Sequence, residues 1–198
     1  MEKKIDEIYK EALNSDGLIT TKEIENLGID RHNIKRYVDD GLMVRESRGI
    51  YYMANEIPDE YTSIQKRSSK AVYSYGTALF FHGLSDRVPM WLDMTLPQGY
   101  NANRLKKDNP NLRIHYVKSE ALSLGKERIK TPQGCSVTAY NKERCICDII
   151  KDQKKVDKQI YIDAIKAYFS SNYNAIELIK MAKTIGVENE VRKYMEVL

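Results

Sequence analysis

No stretch of this sequence is apolar enough to cross a membrane as a helix. The longest aliphatic and aromatic run, Ala78 to Phe81, falls far short of the roughly 18 residues a span needs. Cysteine is scarce, and the three present, Cys135, Cys145 and Cys147, cannot all pair within one chain. The Cys-x-Cys spacing of Cys145 and Cys147 differs from the Cys-x-x-Cys of a zinc knuckle, and no second close pair joins it. These thiols, with His82 and His115, therefore read as buried or structural residues, and no metal site is expected. Nucleotide-binding signatures are missing as well: there is no Gly-x-x-x-x-Gly-Lys, and no Gly-x-Gly-x-x-Gly after a strand. The absence of any repeat or low-complexity tract excludes a solenoid. Clustered acids of the kind a Mg²⁺-dependent nuclease uses are also lacking, because Asp93 falls in a strand pattern but Lys118 has no Glu-x-Lys partner. No catalytic residue and no cofactor are expected.

Charge and tyrosine, by contrast, are plentiful. Charged residues make up 30% of the chain and the mean hydropathy is −0.56, which indicate a well-solvated surface around a real core. The N-terminal Met1-Glu2-Lys3-Lys4 leads into an amphipathic pattern rather than the apolar core of a leader, so a cytoplasmic location is the default expectation. The net charge of +4 hides a split. Residues 1–57 hold 9 basic against 12 acidic side chains, a net of −3, and residues 58–198 hold 23 against 16, a net of +7. Most of the 14 tyrosines, such as Tyr9, Tyr168 and Tyr194, fall on helix stripes expected to be core; Tyr51 and Tyr52 are the exceptions.

The stretch from Ile19 to Met53 carries the clearest pattern. Thr20 and Glu23 form a Thr-x-x-Glu capping box that opens a short helix with Ile24 and Leu27 on one face. Gly28 ends that helix in a left-handed conformation. Asp30 is the N-cap candidate of a second helix, so the turn between them is short. On this second helix Ile34, Tyr37 and Val38 share one face, while Arg31, His32, Asn33, Lys35 and Arg36 point away from it. Two β-type runs, Leu42 to Arg45 and Ile50 to Met53, follow around the tip Glu46-Ser47-Arg48-Gly49 and read as a hairpin. The order is that of a winged helix-turn-helix, with Arg31, His32, Asn33, Lys35 and Arg36 facing the DNA major groove and Arg45 and Arg48 on the wing.

Before it, Ile5, Ile8, Tyr9, Ala12 and Leu13 give an amphipathic helix over Met1 to Leu13, and Leu18 and Ile19 a short strand against the wing. After it, a domain boundary is expected near Asn55 to Glu60, giving domains over 1–57 and 61–198. The second domain should open with a helix from Ser63 toward Tyr73 and a further helical segment from Thr77 to Phe81. Half-buried strands follow over Trp91 to Leu96 and Leu112 to Val117, joined by a loop from Pro97 to Pro110. A hairpin over Glu127 to Tyr140, a helix over Lys142 to Ile150 and three C-terminal helical stripes complete an α+β fold.

Two segments of this second part are more distinctive: Ala78-Leu79-Phe80-Phe81-His82-Gly83-Leu84-Ser85-Asp86, and Glu143-Arg144-Cys145-Ile146-Cys147-Asp148 after Gly134 to Tyr140. With the winged motif they resemble the AbiEi antitoxin and transcriptional-regulator family of bacterial abortive-infection systems, although Cys145 stands where that family usually has Thr. The resemblance implies a non-enzymatic protein with two roles. One is to repress its own operon by binding inverted repeats in double-stranded promoter DNA. The other is to counter a nucleotidyltransferase-like toxin in the type IV manner, without a stable complex. A monomer in solution with two copies on DNA is expected. Glu143, Arg144 and Asp148 read as structural, the carboxylates at a helix start and Arg144 bridging them or the sheet. The alternatives are a Mg²⁺-dependent nuclease or nucleotide-modifying domain delivered to DNA by the winged module, or a one-component regulator whose second domain binds a small ligand.

Overall fold

The computed structural model describes residues 2–198, so Met1 of the expected first helix lies outside the described residues. The chain divides into two compact units, one of residues 1–69 with 131–136 and the other of 70–130 with 137–198. The division falls after Ser69, later than the interval 57–61 expected from the interrupted apolar pattern.

The first unit is built on helices α1 (Glu2–Asn14), α2 (Thr21–Asn26) and α3 (Arg31–Asp39) and strands β1 (Ile19–Thr20), β2 (Met43–Ser47) and β3 (Ile50–Met53). The strands form one antiparallel sheet in the order β1-β3-β2. Helix α1 buries Ile8 and Ala12 against Ile24, Ile34, Tyr37, Met43 and Met53. Leu13, expected on the same stripe, is exposed, and the buried role passes to Leu18 beyond the turn. The capping box is present in both directions: Glu23 N donates to Thr20 Oγ1 at 3.2 Å and Thr20 N to a Glu23 carboxylate oxygen at 2.6 Å. Gly28, at φ +72°, makes the left-handed exit that a side chain would oppose.

Helix α4 (Glu60–Arg67) also belongs to this unit, where a helix from Ser63 to Tyr73 was expected. It starts earlier because the buried Asp59 caps it, accepting from Thr62 N at 2.7 Å and from the Thr131 hydroxyl at 2.7 Å. Its last turns are tied to the winged part. Arg67 and Ser63 both donate to the Glu46 carboxylate, at 3.1 and 3.0 Å, and Lys66 donates to Leu18 O at 2.6 Å.

The second unit contains a five-stranded sheet in the order β6-β5-β4-β8-β7, with β4 (Val72–Tyr73), β5 (Leu92–Pro97), β6 (Leu112–Val117), β7 (Lys126–Lys130) and β8 (Ser136–Tyr140). Strand β4 is its middle member, antiparallel to β5 and parallel to β8. Tyr73 thus lies in a strand, because Ser68 and Ser69 break the helix before it and a strand so short shows no alternation in sequence. Strands β5 and β6 run parallel, and parallel neighbours need a crossover. Helix α6 (Asn103–Asp108) lies in that crossover, where a loop from Pro97 to Pro110 was expected. Strand β5, an interior strand between β4 and β6, is buried from Leu92 to Leu96 rather than alternating.

The helices of this unit are α5 (Tyr75–Phe81), α7 (Ser119–Leu122), α8 (Lys142–Lys151), α9 (Lys158–Phe169), α10 (Ala175–Ile185) and α11 (Glu188–Val197). Every residue of α8 from Arg144 to Ile150 is buried. On α10 the buried residues are Leu178, Met181 and Ala182, while Ile176 is 85% exposed.

Gly125 sets how closely the turn before β7 approaches α8. Its φ is +75°, and a Cβ there would stand 2.8 Å from Arg144 Cβ and 2.9 Å from Asn141 Oδ1. The same backbone accepts from Asn141 N at 2.7 Å, and Asn141 in turn caps α8 at Arg144 N. Gly125→Ala should therefore destabilise the fold by about 2–4 kcal/mol, combining left-handed strain with overpacking. Urea unfolding of the variant against the parent checks this, and Gly134→Ala, whose Cβ would meet nothing, serves as the strain-only control.

Candidate nucleic-acid interface

The exposed side of α3 is set by its buried side. Ile34 and Tyr37 are 2% and 1% exposed in the core of the first unit, so residues about 100° to either side emerge from it. Arg31, His32 and Lys35 are exposed, and Asn33 and Arg36 are half-buried. His32 and Lys35 have no side-chain partner among the described residues, which leaves their hydrogen-bonding groups to solvent or a ligand.

Two members of the expected reading face are more constrained than the sequence pattern suggests. Arg31 Nε is bound to a Glu25 carboxylate oxygen at 2.6 Å, an exposed ion pair that a phosphate or a base would have to displace. The Arg36 guanidinium carbon lies 5.6 Å from the Tyr37 ring centroid, and its Nε is buried without a hydrogen-bond partner. Its guanidinium is thus drawn toward the Tyr37 ring, so Arg36 is only partly outward. Asp30 occupies the N-cap position with extended backbone, but its side chain makes no capping hydrogen bond.

The wing is the hairpin of β2 and β3. Arg45 pairs with Tyr51 across it, and the register shifts between Arg45 and Ser47, a bulge that leaves Glu46 unpaired in the ladder. The Glu46 carboxylate accepts from Ser63 and Arg67, so the wing is tied to α4 next to its tip. At the tip Arg48 is exposed and without a side-chain partner among the described residues, while Arg45 Nε reaches only Ser47 O at 3.4 Å. Tyr51 and Tyr52 are half-buried.

The distinctive residues of the second unit are placed otherwise. Arg144 is 3% exposed, and its Nε donates to both Asp148 carboxylate oxygens at 2.9 and 3.0 Å. Its Nη1 donates to Ala121 O and Leu124 O at 3.0 and 3.1 Å, and the guanidinium carbon lies 4.4 Å from the Tyr140 ring centroid. Glu143 accepts from the Tyr168 hydroxyl at 3.1 Å. Asp148 sits in the middle of α8, one turn after Arg144, and not at the helix start; what holds it is Arg144 rather than the helix dipole. Burial pushes its carboxyl up to about 6, against the opposing pull of Arg144.

Cys145 and Cys147 are buried on α8, and burial pushes both thiols up, Cys147 to about 12. A thiol held protonated is a poor nucleophile and metal ligand. Among the described residues no group of three His, Cys, Asp or Glu side chains is placed to hold a metal ion. Asp93 does not meet a second carboxylate; its Oδ1 lies 2.8 Å from His115 Nε2 and 4.0 Å from Arg113 Nη1. Sequence patterns alone do not join Asp93 to His115, and they pass over Arg113. The available signal is Arg113-x-His115, two polar residues on one face of a strand that pairs in register with β5.

Residues 6–54 match the family model described as transcriptional regulator, AbiEi antitoxin. The first unit therefore carries an AbiEi-type transcriptional-regulator domain, and the segments at 74–86 and 134–148 lie outside the matched span. No curated protein matches the chain. Among solved structures, the crystal structure of the RV2827C protein from Mycobacterium tuberculosis has a TM-score of 0.55 and 11% identity, over 98% of this chain and 81% of that one. At that identity the likeness is one of fold.

His82, from the first distinctive segment, has a structural role with a pH signature. Its side chain is 4% exposed, and its Nε2 lies 2.8 Å from Tyr140 O and 3.7 Å from a Glu127 carboxylate oxygen. Burial holds the imidazole below its ordinary value of 6.5, outweighing the opposite pull of Tyr140 O and Glu127. Above that value both folded and unfolded chains are neutral at this site and stability is unaffected by its titration. Below it the unfolded chain takes up the proton first, so stability falls as the pH drops, until the pH passes the lower folded value. The slope is at most about 1.4 kcal/mol per pH unit. His82→Gln, which keeps a donor for Tyr140 O, should lose less stability than the parent between pH 7 and pH 5 in chemical unfolding; equal losses would refute the assignment.

Proposed function

We propose that this chain is an antitoxin and autorepressor that reads its own promoter through the AbiEi-type domain. The observation that carries this reading is the outward face of α3, where His32 and Lys35 have no side-chain partner among the described residues and Arg31 lies beside them, together with a wing whose tip presents Arg48. That combination supports α3 entering the major groove of double-stranded DNA while Arg45 and Arg48 meet phosphates or a minor groove. Asn33 and Arg36, both half-buried, complete the reading face. Inverted repeats in the promoter would be occupied by two copies of a chain that is monomeric in solution.

Affinity is shared between the units in this reading. With the observed division the first unit carries 11 basic and 14 acidic residues and the second 21 and 14, so the net charges are −3 and +7. The second unit supplies the long-range attraction to a polyanion and the first supplies the address. The second unit also carries the antitoxic role, opposing a nucleotidyltransferase-like toxin without a stable complex. The protein acts without catalysis, in the cytoplasm.

The reading is checked on the full chain by fluorescence anisotropy with promoter DNA. Lys35→Ala should weaken binding by about 1–3 kcal/mol if it contacts a base, and Arg48→Ala should lower the salt dependence by about one phosphate contact. Glu25→Ala should strengthen binding by releasing Arg31. Affinity and sequence preference unchanged in Lys35→Ala and Arg48→Ala would reject this face. Co-expression with the toxin separates repression from antitoxicity, since Lys35→Ala should still rescue growth while failing to repress.

A further inference from the structure

We infer that the second unit holds a binding site for a free nucleoside phosphate, in a cavity of about 540 Å³ beside the β5–β6 pair. The volume falls within the range of small-molecule sites, about 300–1,000 Å³. Its lining combines aromatic surface with cations, and all its carboxylates are already engaged by the protein. This inference is independent of the DNA-reading face of α3.

The carboxylates come first, since they would repel an anion. Asp93 holds His115 at 2.8 Å and lies 4.0 Å from Arg113 Nη1. Asp152 accepts from the Tyr75 hydroxyl at 2.7 Å and from Lys155 at 2.7 Å. Asp157 caps α9, accepting from Gln159 N and Ile160 N at 2.9 and 3.1 Å. What remains for a ligand is positive: the side chains of Arg87 and Lys154 have no partner among the described residues, and Arg113 is exposed. Charge-assisted bonds to a phosphate are the strongest use of such groups.

The aromatic part is equally specific. Trp91 is 45% exposed at the cavity, with the Arg113 guanidinium carbon 5.3 Å from its ring centroid. His115 stacks on Tyr75 at 4.0 Å between centroids and 23° between planes. Met90 and Val88, 81% and 73% exposed, add apolar lining. A flat base against Trp91 and a phosphate on Arg113, Lys154 and Arg87 use both kinds of surface, which a simple phosphate or an acidic peptide would not. Arg113 then bridges the two parts, stacked on the indole and free to donate along its edge.

Backbone strain lies at the same place. Tyr75 has φ +44°, a left-handed conformation in a non-glycine residue, and the next residue, Gly76, has no room to spare: a Cβ there would stand 3.2 Å from Asp93 Oδ2. Strain of this kind is retained where the surroundings over-determine it, commonly at ligand sites. Here it places the Tyr75 ring on His115 and its hydroxyl on Asp152, forming one wall of the cavity.

Trp91 is the only tryptophan of the chain, so its fluorescence reports this cavity directly. The full chain is titrated with the ribonucleoside mono- and triphosphates, with adenosine, with inorganic phosphate and with a single-stranded oligonucleotide, each also followed by calorimetry. At least one free nucleotide should give a saturable signal, with adenosine and phosphate weaker by about tenfold or more. Arg113→Ala and Lys154→Ala should each weaken it by about tenfold, while Lys35→Ala leaves it unchanged. Both side chains are exposed, and thermal melts of the variants confirm that the fold is kept. No saturable change with any nucleotide in either readout overturns the proposal. So does nucleotide binding that neither variant weakens, and so does binding of the oligonucleotide alone, which would assign the cavity to a nucleic-acid strand.

Discussion

A guanidinium buried in the second unit costs several kcal/mol unless its charge and its donors are met, and the surrounding structure is arranged so that they are. Arg144 has Asp148 one turn along its own helix, the carbonyls of Ala121 and Leu124, and the ring of Tyr140. These partners come from three parts of the unit: the helix α8 itself, the segment from α7 to the turn before β7, and the end of β8. Satisfying one side chain therefore fixes the relative position of all three. Gly125 and Asn141 close the same arrangement through the backbone, since the glycine brings its carbonyl to Asn141 N while Asn141 caps the turn that carries Arg144. Within the Glu-Arg-x-Ile-x-Asp segment, Arg144 and Asp148 pair with each other and Glu143 accepts from the Tyr168 hydroxyl. The apolar members between the polar ones, Cys145, Ile146 and Cys147, are buried because the helix is covered on every side along that stretch.

The first unit follows a different logic, in which short-range polar bonds orient a small aliphatic core. Thr20 and Glu23 cap α2, Asp59 caps α4, and Glu46 takes up Arg67 and Ser63 from α4 at the point where the bulge removes it from the ladder. The wing is thereby tied to α4 beside its tip, and Thr21 N donates to Gly49 O at the turn itself, at 2.9 Å.

Features that depend on neighbours in sequence were legible before the structure. The capping box, the left-handed glycine exit, the hairpin of β2 and β3, and the inward stripe of α3 are each specified within a few residues. Features that depend on distant partners were not. Strand β4 is two residues long and is a strand only because β5 and β8 flank it. Helix α4 starts at an acid whose second oxygen is satisfied by Thr131, far along the chain, and α6 exists because β5 and β6 are parallel. Periodicity identified the direction of the α3 side chains well but not their engagement. The bond of Arg31 to Glu25 and the approach of the Arg36 guanidinium to the Tyr37 ring depend on how the side chains are placed in three dimensions. The pairing of Asp93 with His115, across the parallel register, is of the same kind.

Under the proposed DNA-reading role, the distribution of charge bears on how the two units would divide their work. A reading head with a net negative charge would not be drawn to DNA from a distance by its own field, although Lys35 and Arg48 stand on its outward face. Such a surface would discriminate well, because an incorrectly oriented encounter would present acids such as Asp39 and Asp40 to the phosphates. A basic second unit would compensate by raising the encounter rate without regard to sequence. Attraction and discrimination would then reside on separate surfaces. A ligand held among Arg113, Lys154 and Arg87 would neutralise cations of the attracting unit alone, so it would change occupancy of the DNA while leaving the preferred sequence as it was.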